Sequence, residues 1–206
     1  MQSRGGRHRW RGRAAGVTLP ELLISVGILA AIMGVIGALY LAGIRAWYAE
    51  TAAATADNQA RWALKWLVPV IREARAVVPE ESDHHRLTFV QTYPTLSGPV
   101  YVSNGDTITL YLGDATGEAS VSPRLLWFTR NGLRVQSLAN DLVKADGEQG
   151  FEVEYIKQDG TVLTDVTAAT VRGLVAVRLT ITAYGRSGGT SRFVSMSNTV
   201  PLRNLN

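Results

Sequence analysis

The run Gly185-Arg186-Ser187-Gly188-Gly189 fits G-x-S-x-G, where a serine on a sharp turn from strand to helix is presented for nucleophilic attack. That arrangement takes its acid and histidine from later in the chain, yet no histidine follows Ser187 and both flanks read as strands. A His-Asp-Ser order is open to His84 or His85, one of several aspartates and Ser187, but the strands for the two barrels that carry that order are lacking. His84 and His85 are adjacent, so in an extended segment they point apart and cannot form the i,i+4 pair of a helical metal site. Asp141, Asp146 and Glu148, beside Gly147 and Gly150, offer oxygen ligands of the kind calcium takes, in an order that does not fit an EF-hand loop. Lys144, Arg172, Arg178, Arg186, Arg192 and Arg203 offer cations to a phosphate backbone. A hairpin loop, solvated acidic loops and solvated surface account for all of these. No catalytic residue, metal site or cofactor is expected, and the chain is expected not to be an enzyme.

Composition limits the remaining possibilities. A chain of 206 residues with 46% apolar and 18% charged residues can bury a core of its own. Cysteine is absent, which excludes disulfides, thiol nucleophiles and thiolate zinc sites. The formal charge is +4, but it is concentrated: residues 1–16 hold Arg4, Arg7, Arg9, Arg11 and Arg13 and no acid. The remainder has one more acid than Lys and Arg together, since five of the 21 cations lie in that segment against 17 acids outside it. Nucleic acid is therefore not an expected partner.

From Leu22 to Ile44 no residue carries a formal charge, and Leu, Ile, Val and Ala dominate. As a helix rising about 1.5 Å per residue this run crosses a hydrocarbon core of about 30 Å. The arginines before it place that end in the cytoplasm by the positive-inside rule. The run is too long for the apolar part of an ordinary secretory signal. Glu21, at the cytoplasmic edge, has no use in a plain membrane anchor, and a carboxylate near hydrocarbon costs about 2–3 kcal/mol unless paired. It calls for a cation.

Gly16-Val17-Thr18-Leu19-Pro20-Glu21-Leu22-Leu23-Ile24 closely resembles the processing and methylation motif of type IV prepilins and pseudopilins: a glycine, a hydrophobic residue, and an acid five residues after the cut. The resemblance implies a membrane prepilin peptidase that cuts after Gly16 and methylation of the new terminus at Val17. Cutting would leave a cationic amine on Val17, one helical turn from Glu21, so that the acid of a neighbouring subunit neutralises it as the helices stack. This chain has Val17 where phenylalanine is usual and no proline near Ala38. Pro20 falls in the first helical turn, where its missing N–H is unpaired in any case. The family also implies residence in the cytoplasmic (inner) membrane as a single pass with the N-terminus inside, then passage to an extracellular pilus or periplasmic pseudopilus. The implied partners are prepilin peptidase, other pilins or pseudopilins in a hetero-oligomeric filament, and the membrane itself.

The expected elements are a basic leader over 1–16, a membrane and filament-core helix over 17–44, an amphipathic helix over 45–79 and an antiparallel β domain over 80–206. Trp47 and Tyr48 suit a membrane interface, and glycines at 27, 34, 37 and 43 permit close helix approach. Ala60, Leu64, Leu67, Ile71, Ala74 and Val78 recur at three and four, forming one buried stripe that continues past Pro69; this proline is expected to kink the helix by removing the bond to the Lys65 carbonyl. Trp62 and Trp66 form a second line at i,i+4. Beyond Pro79 the period becomes two, as in Leu87, Phe89 and Gln91 against Thr88, Val90 and Thr92. Hairpins are expected at Asn131-Gly132, at Asp159-Gly160 and across Gly185–Gly189.

The fold class is thus α+β: a long helix whose outer half packs on an antiparallel sheet, a pilin-like lollipop. Val200-Pro201-Leu202-Arg203-Asn204 and the Asn58-Gln59-Ala60-Arg61 to Arg75 stretch resemble minor subunits of the J type from type II secretion and of the W type from type IV pili. The alternatives in other classes are a membrane-anchored exoprotein, such as a hydrolase, and a DNA-binding tip pilin.

Overall fold

The structure is a computed structural model that describes residues 16–91, 95–97, 100–102, 105–114 and 125–202. The basic leader up to residue 15, Thr92, Arg203 and Asn204 lie outside the described residues. The chain divides into two compact units, Met1–Ile44 and Arg45–Asn206.

Helix α1 spans Leu19–Arg72, 54 residues, because good helix formers dominate and no proline intervenes between Pro20 and Pro69. Its buried side chains are Ala52, Ala56, Ala60, Ala63, Leu64, Leu67, Val70 and Ile71. The stripe therefore starts two turns earlier than the leucine spacing suggests, with alanine at each of its first contacts. The helix also ends sooner than expected. It runs through Pro69 and stops at Arg72, and Ala74–Val77 forms strand β1 instead of a final helical turn. Pro69 removes a donor from that turn, and Ala74, Ala76 and Val77 find partners at Gln91, Val90 and Phe89 of the next strand. Ala74 is buried as the spacing predicted, but Val77 goes in where Val78 was expected and Val78 is half-buried, because Ala74 and Val78 fit both periods and the pairing with β2, irregular between Ala74 and Ala76, decides.

A 3-10 turn at Pro79–Glu81 leads into β2 (Arg86–Gln91), β3 (Thr95–Ser97), β4 (Val100–Val102), β5 (Thr107–Gly113), β6 (Leu125–Arg130) and β7 (Leu133–Ala139). Then come β8 (Phe151–Lys157), β9 (Val162–Leu163), β10 (Leu174–Ser187) and β11 (Thr190–Pro201). The strands form a five-stranded sheet in the order β1-β2-β5-β6-β7, a four-stranded sheet in the order β11-β10-β8-β9, and the pair β3-β4. All pairings are antiparallel. The α+β class holds, with the β half divided between two main sheets that share one core. Leu87, Phe89, Ile108, Leu110 and Phe128 of the first meet Phe151, Val153, Tyr155, Leu179 and Ile181 of the second, together with Leu64, Leu67 and Ile71 of α1.

The expected hairpins are present. Asn131 and Gly132 both have positive φ, 51° and 75°, as a two-residue turn between twisted strands requires. The Asn131 side chain also ties down the start of β5: Oδ1 accepts from Thr107 N at 2.8 Å and Nδ2 donates to Asp106 at 2.8 Å. The last hairpin is tighter than a five-residue glycine loop. Its ladder runs without a break from Ala176↔Pro201 to Ser187↔Thr190, so Gly188 and Gly189 alone make the turn.

Gly185 is thereby a strand residue with a packing role. A Cβ built on it would collide with the Ala52 carbonyl oxygen of α1, so the strand backbone lies directly on the helix backbone. Ala52 and Ala56, both fully buried, make the same approach possible from the other side. The Gly185→Ala protein is expected to lose about 1–3 kcal/mol in chemical denaturation of the full chain in detergent, the usual cost of overpacking. Wild-type stability in that variant would contradict the contact.

Candidate functional site

Gly16, Val17 and Thr18 precede α1, and all three are exposed, Val17 at 68%. The Thr18 carbonyl accepts the first helical bond, from Leu22 N at 3.1 Å, so the peptide joining Gly16 to Val17 lies just outside the helix. Pro20 and Glu21 lie in the first turn, where a missing N–H costs nothing and a carboxylate faces the positive end of the helix dipole. Ser25 returns its hydroxyl to the Glu21 backbone carbonyl at 2.8 Å. Among the described residues, the Glu21 carboxylate has no partner. Val17 and Glu21 thus lie close in sequence on the two sides of the helix start, and among the described residues no side chain pairs with the Glu21 carboxylate.

Beyond Glu21 every side chain as far as Gly43 is exposed, including Leu22, Leu23, Ile24, Ile28, Leu29, Ile32, Ile36 and Leu41. The most apolar 18-residue window of α1 has a mean hydropathy of 2.6 and none of it is buried. This helix is long and apolar enough to cross a membrane. Trp47, 61% exposed, and Tyr48 follow, with ring centroids 5.3 Å apart. Tyr48 packs beneath Gly188 of the last hairpin.

The other candidates are dispersed. Ser187 ends β10 opposite Thr190. Both histidines sit against the start of β8: His84 Nδ1 lies 3.0 Å from Val153 O, and His85 Nδ1 lies 2.9 Å from Phe151 O. Glu152 pairs with Thr180, seven residues before Ser187 on β10, so serine and imidazoles are separated by roughly 20 Å at the usual rise of a strand. The structure does not assemble a triad from them. The two rings do not point apart as adjacency suggested. They lie 4.8 Å apart because the Asp83–Arg86 turn folds both onto one strand.

That turn is a seam between the sheets. Val153 N donates to His84 O at 2.8 Å, and the Tyr155 hydroxyl donates to the carbonyls of Asp83 and Arg86 at 3.1 and 3.2 Å. Tyr155 is fully buried, and burial pushes its phenol well above the ordinary range, so it remains a donor.

The acidic loop is also occupied by its own chain. Asp146 Oδ1 accepts from Glu148 N at 2.9 Å, and Lys144 Nζ reaches Glu148 at 3.5 Å and Glu152 at 2.5 Å. Among the described residues, no three His, Asp or Glu side chains are grouped to hold a metal ion. Of the six cations, Lys144 is thus engaged, Arg178 pairs with Glu154 at 2.9 Å, and Arg203 lies outside the described residues.

Sequence reasoning missed Tyr155, the two histidine rings brought together on β8 and the close approach at Gly185, each of which depends on contacts distant in sequence. The nearest signal was the glycine content around Gly185, which reads equally as a loose turn. Compared with protein-family models, curated proteins and solved structures, the chain gives no match.

Burial pushes the Glu152 carboxyl up, but the Lys144 ammonium and His84 together outweigh it, so Glu152 titrates below its ordinary 4.5. A depressed carboxylate contributes stability that is complete above its unfolded pKa and is lost as pH falls through the folded value. On acidification from about pH 6 to about pH 3, Glu152→Gln is therefore expected to lose less thermal stability than wild type. Parallel melting curves across that range would remove the seam's ion pair from the stability account.

Proposed function

We propose that this chain is a minor pilin or pseudopilin, an architectural subunit that waits in the cytoplasmic membrane and is then drawn into a filament by its N-terminal helix. The observation that carries the reading is Glu21: it is the only ionised side chain between Val17 and Arg45, at the mouth of an exposed apolar helix and without a partner of its own among the described residues. A peptidase cuts after Gly16 and leaves a cationic amine on Val17, which is then methylated. Glu21 of one subunit neutralises the amine of the next. In hydrocarbon, where an isolated carboxylate costs about 2.5–3.5 kcal/mol, that pairing selects one axial register.

The exposed, non-helical Gly16–Thr18 segment supports the first step, because a peptide bond must leave the helix to enter a protease. The sheet-bearing unit supports an outward surface for adjacent subunits, and the chain's role is mechanical, with no reaction of its own. Prepilin peptidase, other pilins or pseudopilins and the inner membrane are the partners, and the filament is an extracellular pilus or a periplasmic pseudopilus.

Co-expression with a prepilin peptidase tests the first step. Intact mass and N-terminal sequencing are expected to give Val17 as the first residue, and Gly16→Val is expected to leave the precursor uncut. Cutting elsewhere, or undiminished cutting of Gly16→Val, would remove the basis of the proposal.

A further inference from the structure

Each main sheet ends in two edge strands, and three of the four are poor templates for a further strand. β9 has two residues, while β1 and β7 pair irregularly with their neighbours, at Ala74/Ala76 in β1 and opposite Leu126/Trp127 and Phe128/Thr129 in β7. Shortness and bulges of this kind keep a sheet from adding a strand of another chain. β11 has neither. It runs twelve residues, Thr190–Pro201, in unbroken register against β10.

The bond from Leu202 N to Val175 O, 2.9 Å, fixes the alternation along this pair. Arg192, Val194, Met196, Asn198 and Val200 exchange backbone bonds with β10, whereas Ser191, Phe193, Ser195, Ser197 and Thr199 turn their N–H and C=O groups away from it. The bond from Thr182 N to Gly150 O agrees, since Thr182 lies opposite Ser195 and is itself bonded toward β8. All five outward residues are exposed, none is charged, and among the described residues no strand lies beyond them. Pro201 falls in the same outward series, where a missing N–H leaves the pairing with β10 intact. The edge thus presents five donors and five acceptors over roughly 27 Å.

We propose that β11 pairs antiparallel with β11 of a second copy of this chain, centred on Ser195. In that register Ser191 faces Thr199, Phe193 faces Ser197 and Ser195 faces its counterpart, so ten backbone bonds use every one of these groups. Gly189, in the turn, and Pro201, without an N–H, bound the run and each stand six residues from Ser195. On the face that packs on the core, Val194 meets Met196; both are only partly buried within one copy. Arg192, the one charged residue of β11, falls opposite Asn198, so no like charges meet. A strand rich in acids or bases finds no matching row of charge here. The edge lies within the unit Arg45–Asn206, so the inference does not rest on the filament reading.

The chain has no cysteine, which makes the register directly readable. Full-length Ser195→Cys and Ser191→Cys proteins in detergent are oxidised mildly and separated without reductant. Opposed residues of a bonded pair have Cα atoms about 5.5 Å apart, within disulfide reach, whereas the two copies of residue 191 would lie roughly 27 Å apart. Ser195→Cys is expected to form covalent dimer at least about tenfold faster than Ser191→Cys. Adding Ser197→Pro removes an outward N–H and leaves the bonds to β10 in place; it is expected to cut that rate about tenfold or more, with melting close to that of Ser195→Cys alone. Equal cross-linking at the two positions, as contact through the apolar helices alone would give, would overturn the inference. So would cross-linking indifferent to Ser197→Pro, or a Ser195→Cys protein that stays monomeric.

Discussion

From Glu21 to Arg45 the helix carries no ionised group between its two ends, and as far as Gly43 it leaves every side chain uncovered. Burial of a single Leu, Ile or Val side chain is worth about 1.5–3 kcal/mol, so this surface represents on the order of tens of kcal/mol of unfavourable hydration. A folded domain is stable by only about 5–15 kcal/mol. The segment therefore needs an apolar surrounding of its own, lipid or other helices. An acid at the edge of such a surface is costly unless a cation meets it, and the proposed pairing with a neighbour's terminus would supply one.

The same helix changes character within the unit Arg45–Asn206. At Ala52 and Ala56 its buried contacts are methyl groups, which lets the β10 backbone at Gly185 touch the helix backbone. From Leu64 to Ile71 the contacts are large, and the two sheets meet the helix through side chains in a shared core. The seam at Asp83–Arg86, with Tyr155 and both histidines fastened to β8, joins the sheets on their polar side. Small residues thus set the distance at one end and large ones fill the volume at the other, so packing is dense without a disulfide.

Much of this was legible in the chain, for local reasons. Asn131-Gly132 encodes a turn through backbone conformations few other residues tolerate, and alternation along β5 marks a half-buried strand, whereas β2 buries Thr88 together with Leu87 and Phe89. The uncharged run after Glu21 is visible as composition alone. The helix end at Arg72 was not, because the spacing of Ala74 and Val78 fits a helix as well as a strand until β2 supplies hydrogen bonds. The division into two sheets, the fastening of His84 and His85 to β8 and the role of Gly185 all depend on which strands become neighbours, and no local pattern encodes that. The reading of Gly16, Val17 and Glu21 comes from spacing along one segment, and the structure adds their exposed placement at the start of α1.

The central claim is that Glu21 is tolerated at the edge of the apolar helix because a neighbouring subunit's terminal amine meets it there. The direct measurement is the amount of Glu21→Gln protein recovered in sheared filaments relative to the amount held in the membrane, with N-terminal processing checked in the same samples. The account predicts normal cutting and membrane retention with a severe loss from filaments. Filaments that take up Glu21→Gln as readily as wild type would contradict it.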